Sequence, residues 1–381
     1  MVDGREARTL IVISGYYGFG NLGDEAILEQ LVCELKRLVP PESIVILSND
    51  PVSTERVFGV RSLGRSRFAS LARVLTKAKL LVSGGGGLFQ DTRSPGSVLF
   101  YGAHIMLARL AGAQALVYAQ GVGPLRSAIA TMITRAAFRL TSAISVRDER
   151  SLDLVKSWHL PVELTADPVW CLAPTDLPAQ ISSTLPGGPE TSRQPLIGLS
   201  LRPSSGFTDV HMDELLHSLL EALPAEADLL LLPLQKEQDE PVLHRFATAW
   251  RQAGRRAFTF NPDELTLPSQ WLTLLSRLDL LVSMRLHALI MALRSGVATV
   301  GIAYDPKVVR LLTNFEQPIL NLTKESAGES WKETLKDAYR RRNELSTTAV
   351  GKTEAAKNLA CQNFNFISRI LNMQSDPNRL I

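Results

Sequence analysis

Nine short apolar runs, each followed by a polar or glycine-rich loop, set the strongest limit on how this chain folds. In the first half they lie at 10–13, 80–82, 115–119, 143–146 and 162–164; in the second, at 196–201, 229–232, 278–282 and 298–302. Helix-period patterns, for example 98–110 and 129–140, fall between them. Alternating strands and helices predict parallel sheets, which take their ligands at the carboxyl ends of the strands. The loops that follow the first five runs therefore collect along one sheet edge.

The interruption at 172–194 is rich in Pro, Ser, Thr and Gly and has no periodicity. It divides the pattern into an amino-terminal Rossmann-like domain (1–175), a linker (176–194) and a second Rossmann-like domain (195–325). A charged, helix-like tail (326–381) carrying Arg340, Arg341 and Arg342 follows, and we expect it to pack back on the first domain. The expected class is α/β, two Rossmann-like domains facing across a cleft, the GT-B-like layout of nucleotide-sugar transferases. A length of 381 residues suits two such cores.

The glycine-rich loop after the first run reads Ser14-Gly15-Tyr16-Tyr17-Gly18-Phe19-Gly20-Asn21-Leu22-Gly23-Asp24-Glu25. Gly18, Gly20 and Gly23 match the dinucleotide spacing G-x-G-x-x-G. Against that reading, Asp24 and Glu25 sit where a pyrophosphate would approach the helix start. Carboxylates, an amide and two tyrosines suit a hydroxyl-rich ligand better. A turn that only packs helix on strand is the bland alternative.

The segment Ser283-Met284-Arg285-Leu286-His287-Ala288 carries the sharpest chemical signal. Arg285 and His287 are two apart, so an extended segment would point both the same way. A guanidinium offers paired donors to an anion, and an imidazole transfers protons near neutral pH. Arg202 and Lys307 follow other strands of the second domain, and Arg147 follows one in the first. Four cations at one cleft would repel one another without a multiply charged anion, so a small ligand with more than one acidic group is expected. The other histidines (His104, His159, His211, His217, His244) lack such surroundings and read as surface or packing residues.

The net charge of +3 is too small to imply nucleic acid, and none is expected as a partner. Cys33, Cys171 and Cys361 are widely spaced, and no His, Cys or Asp group has metal-ligand spacing, so no metal is expected. The polar start without a secretory pattern and the lack of a spanning apolar run lead us to expect a cytoplasmic protein. From 57 to 90 there are six basic residues (Arg61, Arg65, Arg67, Arg73, Lys77, Lys79) and no acidic one. With Phe68, Leu71, Val74 and Leu75 they read either as a basic amphipathic helix resting on an anionic membrane or as a solvated helix face.

Taken in order, these segments resemble the polysaccharide pyruvyl transferase family, of the CsaB type. The resemblance is carried by the Gly15-to-Ala26 loop, the Gly84-to-Asp91 loop, Gln120-Gly121-Val122-Gly123-Pro124, Val146-Arg147-Asp148-Glu149 and Ala166-Asp167-Pro168. It continues through Ser200-Leu201-Arg202, the Ser283-to-Ala288 segment and Ala303-Tyr304-Asp305-Pro306-Lys307-Val308. It implies transfer of a pyruvyl group from phosphoenolpyruvate to two hydroxyls of a sugar, with no cofactor. The acceptor it implies is a lipid-linked precursor of a cell-wall polysaccharide, with N-acetylmannosamine as one such sugar and surface-layer anchoring as one use of the product. By similarity, His287 is the acid, Arg285, Arg202, Arg147 and Lys307 hold the donor, and Tyr17, Asn21, Asp24, Gln90 and Asp91 face the acceptor. Two rivals stay open: a GT-B glycosyltransferase using a nucleotide sugar, and a non-catalytic polysaccharide or anion binder.

Overall fold

The structure is a computed structural model and describes residues 9–91, 96–186, 194–322 and 329–371. The polar start at 1–8 and parts of the expected linker (187–193) and tail (326–328, 372–381) lie outside the described residues. The chain divides into two compact units, Met1–Leu172 with Ala356–Ile381, and Ala173–Ala355.

The first unit holds strands β1 (Leu10–Ser14), β2 (Ile44–Ser48), β3 (Arg61–Gly64), β4 (Ala78–Ser83), β5 (Gly86–Phe89), β6 (Gln114–Val122), β7 (Ala143–Val146) and β8 (Glu163–Leu164). They form a parallel sheet in the order β3-β2-β1-β4-β6-β7-β8, with β5 paired to the end of β6. Alternate residues serve opposite faces, as strand geometry requires. Val12, Val45, Leu81 and Val117 join one core, while Ile11, Ile13, Ile46 and Val82 join the other. Both faces are covered, so the strands are apolar throughout.

The second unit holds β9 (Leu196–Ser200), β10 (Asp228–Leu231), β11 (Ala257–Phe258), β12 (Leu280–Ser283), β13 (Thr299–Ala303) and β14 (Ile319–Asn321). Its order is β11-β10-β9-β12-β13-β14, again parallel. In each sheet the chain winds outward from its first strand one way and then the other. The strand order therefore reverses between β1 and β4, and between β9 and β12. At such a switch point neighbouring loops diverge and leave a crevice beyond the strand ends.

Two expectations change here. The stretch 176–194 was expected to be a linker, yet it contains the helix Ala179–Thr184, which is anchored to the second unit. Ile181 and Leu185 are buried, Arg277 donates to the carbonyl of Ser182 at 3.1 Å, and Thr175 shares a hydrogen bond with Ser269. Two buried apolar residues suffice to dock a stretch whose composition reads as loop. The amphipathic reading of 57–90 is also narrowed. Leu71, Val74 and Leu75 of the helix Phe68–Leu75 are buried in the core of the first sheet, so of the expected apolar stripe Phe68 stays exposed.

The tail forms helices Glu329–Arg340 and Arg342–Leu371. Trp331, Leu335 and Leu345 pack in the core of the second unit, while Phe364, Phe366, Ile367 and Leu371 pack in that of the first. Buried Asn363 accepts hydrogen bonds from the Ser145 and Thr165 hydroxyls, both at 2.8 Å, and donates to the Ala166 carbonyl at 2.9 Å. The ends of β7 and β8 are thereby fixed just before Asp167.

Candidate active site

At the switch point of the first sheet the chain leaves β1 through Gly15. Asn21 caps the helix Leu22–Leu38, its side-chain oxygen accepting from the Gly23 N–H at 3.2 Å. Gly18 (φ +74°) and Gly20 (φ +65°) take left-handed conformations that other residues disfavour. The Gly18 N–H donates to Glu25 at 2.7 Å, and burial next to Asp24 pushes the Glu25 carboxyl up to about 7. Asp24 is buried in the first helical turn, and a Cβ at Gly86 would lie only 2.8 Å from its Oδ1. Gly86 thus lets β5 approach that carboxylate.

Two residues expected to face an acceptor are placed otherwise. Tyr17 is fully buried, and its ring fills the space that side chains at Gly15 and Gly84 would need. Burial pushes its phenol well above the ordinary range. Asp91 spends both carboxylate oxygens on the backbone N–H groups of Arg126 and Ser127, each at 2.7 Å, which hold its pKa below the usual range. A carboxylate so engaged fixes a loop and is a poor base. Gln90 is half-buried beside Gly87, and its backbone carbonyl accepts from Ser97 at 2.9 Å.

Arg147 follows β7 and pairs with Asp167, both side chains nearly buried. Gly121 leaves the room this needs, since a Cβ there would lie 3.1 Å from the Arg147 Nε.

The switch point of the second sheet is cationic. Arg202 follows β9, Arg285 follows β12, Tyr304 follows β13, and Lys307 lies in the first turn of the helix Pro306–Asn314. Asp305 caps that helix by accepting from the Lys307 N–H at 2.8 Å. Arg285 is the N-cap of the helix Leu286–Arg294, and His287 is half-buried in its first turn. The helix starts one residue earlier than an extended reading allows, so the period-two alignment of Arg285 with His287 does not hold.

Arg285 makes a two-point ion pair with the fully buried Asp239 of the helix Lys236–Gln252, its Nε donating at 3.1 Å and its Nη2 to the other oxygen. Burial pushes the Asp239 carboxyl up, while Arg285, the Gln235 N–H at 3.0 Å and the nearby Arg202 charge oppose that rise. The Arg202 guanidinium lies 5.8 Å from the centre of the Tyr304 ring. Burial raises the Tyr304 phenol, and the Arg202 charge opposes that. Among the described residues, the buried Nε of Arg202 and the buried hydroxyl of Ser200 have no hydrogen-bond partner. A guanidinium N–H left in that state favours an incoming anion.

Asp167 and Asp239 change the electrostatic argument. Two of the four cations taken to repel one another already have carboxylate partners, and Arg147 lies in the other unit from the remaining three. Sequence reasoning missed both counter-ions. Asp239 sits among Glu237, Glu240 and other helix polar residues, where nothing in spacing separates it from a solvated face. Asp167, three residues past the end of β8 and before Pro168, was the more visible of the two. Among the described residues no three His, Cys, Asp or Glu side chains are placed to share a metal ion.

Two Rossmann-like units with ligand crevices at their switch points are the fold of GT-B glycosyltransferases and sugar-nucleotide epimerases. The sequence profile described as "Polysaccharide pyruvyl transferase" matches residues 21–306, and the chain belongs to that family. Among solved structures it is similar to a putative UDP-N-acetylglucosamine 2-epimerase from Listeria monocytogenes (TM-score 0.67, 11% identity, covering 97% of this chain and 98% of that one). Similar too are MnaA of S. aureus with UDP (0.59, 11%, 97% and 98%) and HepE of Anabaena with UDP (0.58, 12%, 96% and 99%). At such identities the likeness is one of fold. No curated relative matches the chain.

Proposed function

We propose that this protein transfers a pyruvyl group from phosphoenolpyruvate to two hydroxyls of a sugar in a lipid-linked polysaccharide precursor, on the cytoplasmic side. The observation that carries the reading is the Arg202 guanidinium, with a buried unpartnered N–H, at the same sheet edge as Arg285, His287 and Lys307. Phosphoenolpyruvate brings a carboxylate and a phosphate to such an edge. Arg202 and Lys307 hold them, and Arg285, fixed by Asp239, sets the start of the helix that carries His287.

His287 delivers a proton to the methylene carbon, which becomes the methyl group, and the adjoining carbon becomes electrophilic. One sugar hydroxyl adds there and loses its proton. The second hydroxyl displaces phosphate, which leaves with the remaining proton, so the products are a cyclic ketal and inorganic phosphate. Cations beside the leaving phosphate stabilise its developing charge. Asn21, Asp24 and Gln90 remain the acceptor-side candidates, with the Asp24 carboxylate beside Gly86 of β5.

Incubation with phosphoenolpyruvate and a lipid-linked acceptor tests this. Release of phosphate with a gain of the pyruvyl mass on the glycan is the expected result. Several solved neighbours hold UDP, which favours the nucleotide-sugar alternative. Turnover with UDP-sugar and nucleotide release, without phosphate from phosphoenolpyruvate, would replace the pyruvyl reading with that one.

A further inference from the structure

We infer that the outer face of the helices Gly96–Leu110 and Ala128–Arg139 is a docking surface for an anionic lipid bilayer. The two helices pack closely through Gly102, where a Cβ would lie 3.2 Å from the Ile133 side chain. Leu99, Met106 and Leu110 recur at one helical spacing, as do Ile129, Met132 and Leu140 just beyond the second helix. On the first helix that stripe is displaced from the core-facing residues toward Gly102. On the second it is displaced toward Ile133. Both stripes therefore lie on the outer side of the packed helix pair. Leu99, Met106, Leu110, Ile129 and Met132 are 49–79% exposed, and Leu140 is 41% exposed. Of the ten most exposed large hydrophobic residues among those described, these six and Phe68 lie on one side of the first sheet. So contiguous an apolar patch marks a contact surface.

Charge selects the partner. From Val57 to Arg147 the sequence holds twelve Lys or Arg and a single acid, Asp91. That carboxylate is occupied by backbone N–H groups, as described above. Arg73, Lys77, Arg109, Arg126 and Arg139 are exposed on this side. Arg135, Arg139, Met132 and Trp158 line a groove of about 400 Å³ along the second helix. Exposed Leu, Ile and Met set among arginines, without acids, complement anionic headgroups over acyl chains. A second copy of this face would oppose arginine with arginine. Both helices begin at the carboxyl edge of the first sheet, where Gln90 accepts from Ser97 of the first and Asp91 holds the Arg126 and Ser127 N–H groups ahead of the second. A bilayer held here keeps a membrane-borne acceptor beside the Asn21 and Gln90 loops.

Co-sedimentation of the full chain with phosphatidylglycerol-containing vesicles tests this, against vesicles of phosphatidylcholine alone. We expect binding to the former, lost at high salt. Arg126→Glu/Arg139→Glu should weaken it at least about tenfold, and Met106→Glu/Met132→Glu should abolish it, with unchanged thermal melting because the substituted side chains are largely solvent-facing. Should the Met variant misfold, Leu99→Ser/Ile129→Ser replaces it, and vesicle-induced protection of 96–110 and 128–139 from hydrogen exchange supplies a readout on the unaltered protein. Equal binding to neutral vesicles, binding untouched by these substitutions, or a dimer that Met106→Glu dissociates in place of vesicle binding would overturn the inference. It does not rest on the donor's identity, since phosphate release with a water-soluble acceptor is measured separately.

Discussion

The two sheets wind outward from their first strands in the same sense and share the same switch point, yet their edges hold different groups. At the first edge Asn21 caps a helix, Glu25 accepts from Gly18, Asp91 holds 126–127, and Asp167 neutralises Arg147. The buried polar atoms left there without partners among the described residues include the neutral Ser83 hydroxyl and Gln120 carbonyl oxygen. At the second edge the atoms left in that state include the Ser200 hydroxyl and, two residues on, the Nε of the charged Arg202. Topology supplies two equivalent switch points. In the function proposed above, the side chains at their strand ends suit one to hydroxyls and the other to an anion.

The sharpest way to break that contrast is His287→Ala. Loss of a general acid should lower phosphate release by roughly 10²–10⁴-fold, with phosphoenolpyruvate affinity kept; normal turnover would remove His287 from the chemistry. Next come the buried counter-ions. Asp239→Ala and Asp167→Ala should each cost about 3–5 kcal/mol in denaturant unfolding, because each strands a buried guanidinium. If the second edge is the anion site, phosphoenolpyruvate should restore the melting temperature of Asp239→Ala more than that of Asp167→Ala. Equal rescue would erase the distinction.

A pH measurement probes the first edge. The Glu25 carboxyl is raised to about 7 in the fold, so the folded chain binds more protons than the unfolded one above the ordinary carboxylate range. Stability should therefore be fully present near pH 4 and fall as pH rises toward 7, by up to about 3 kcal/mol. Glu25→Gln should flatten that slope in unfolding curves taken across the range. The smallest effect is expected of Arg202→Ala, which should raise the KM for phosphoenolpyruvate about 10–100-fold, as for loss of one charged hydrogen bond. Its loss of folding stability should be smaller than for the carboxylate-paired arginines, since it gives up a ring contact and a hydrogen bond to Tyr304 and no buried ion pair.

Much of this contrast was legible in the sequence. Continuous apolar runs before glycine loops fixed a parallel α/β chain, since strands buried on both faces cannot alternate with polar residues. Arg202, Arg285 and His287 were visible because each directly follows such a run. β5 was not, because its glycines read as loop until Gly86 and Phe89 pair with Gln120 and Val122.

The order of residues alone determined which side chains reach the strand ends, because a crossover helix returns each strand in the same direction. Only the tertiary structure decided which of them meet. Arg285 and Asp239 are 46 residues apart, and Tyr17 is buried by glycines at two separate loops. The same holds for the apolar helices: 68–75 buries Leu71, Val74 and Leu75, whereas 96–110 buries Val98, Tyr101 and Ile105 and leaves Leu99, Met106 and Leu110 exposed. Pairing and burial depend on what lies across space, and local spacing carries no record of it.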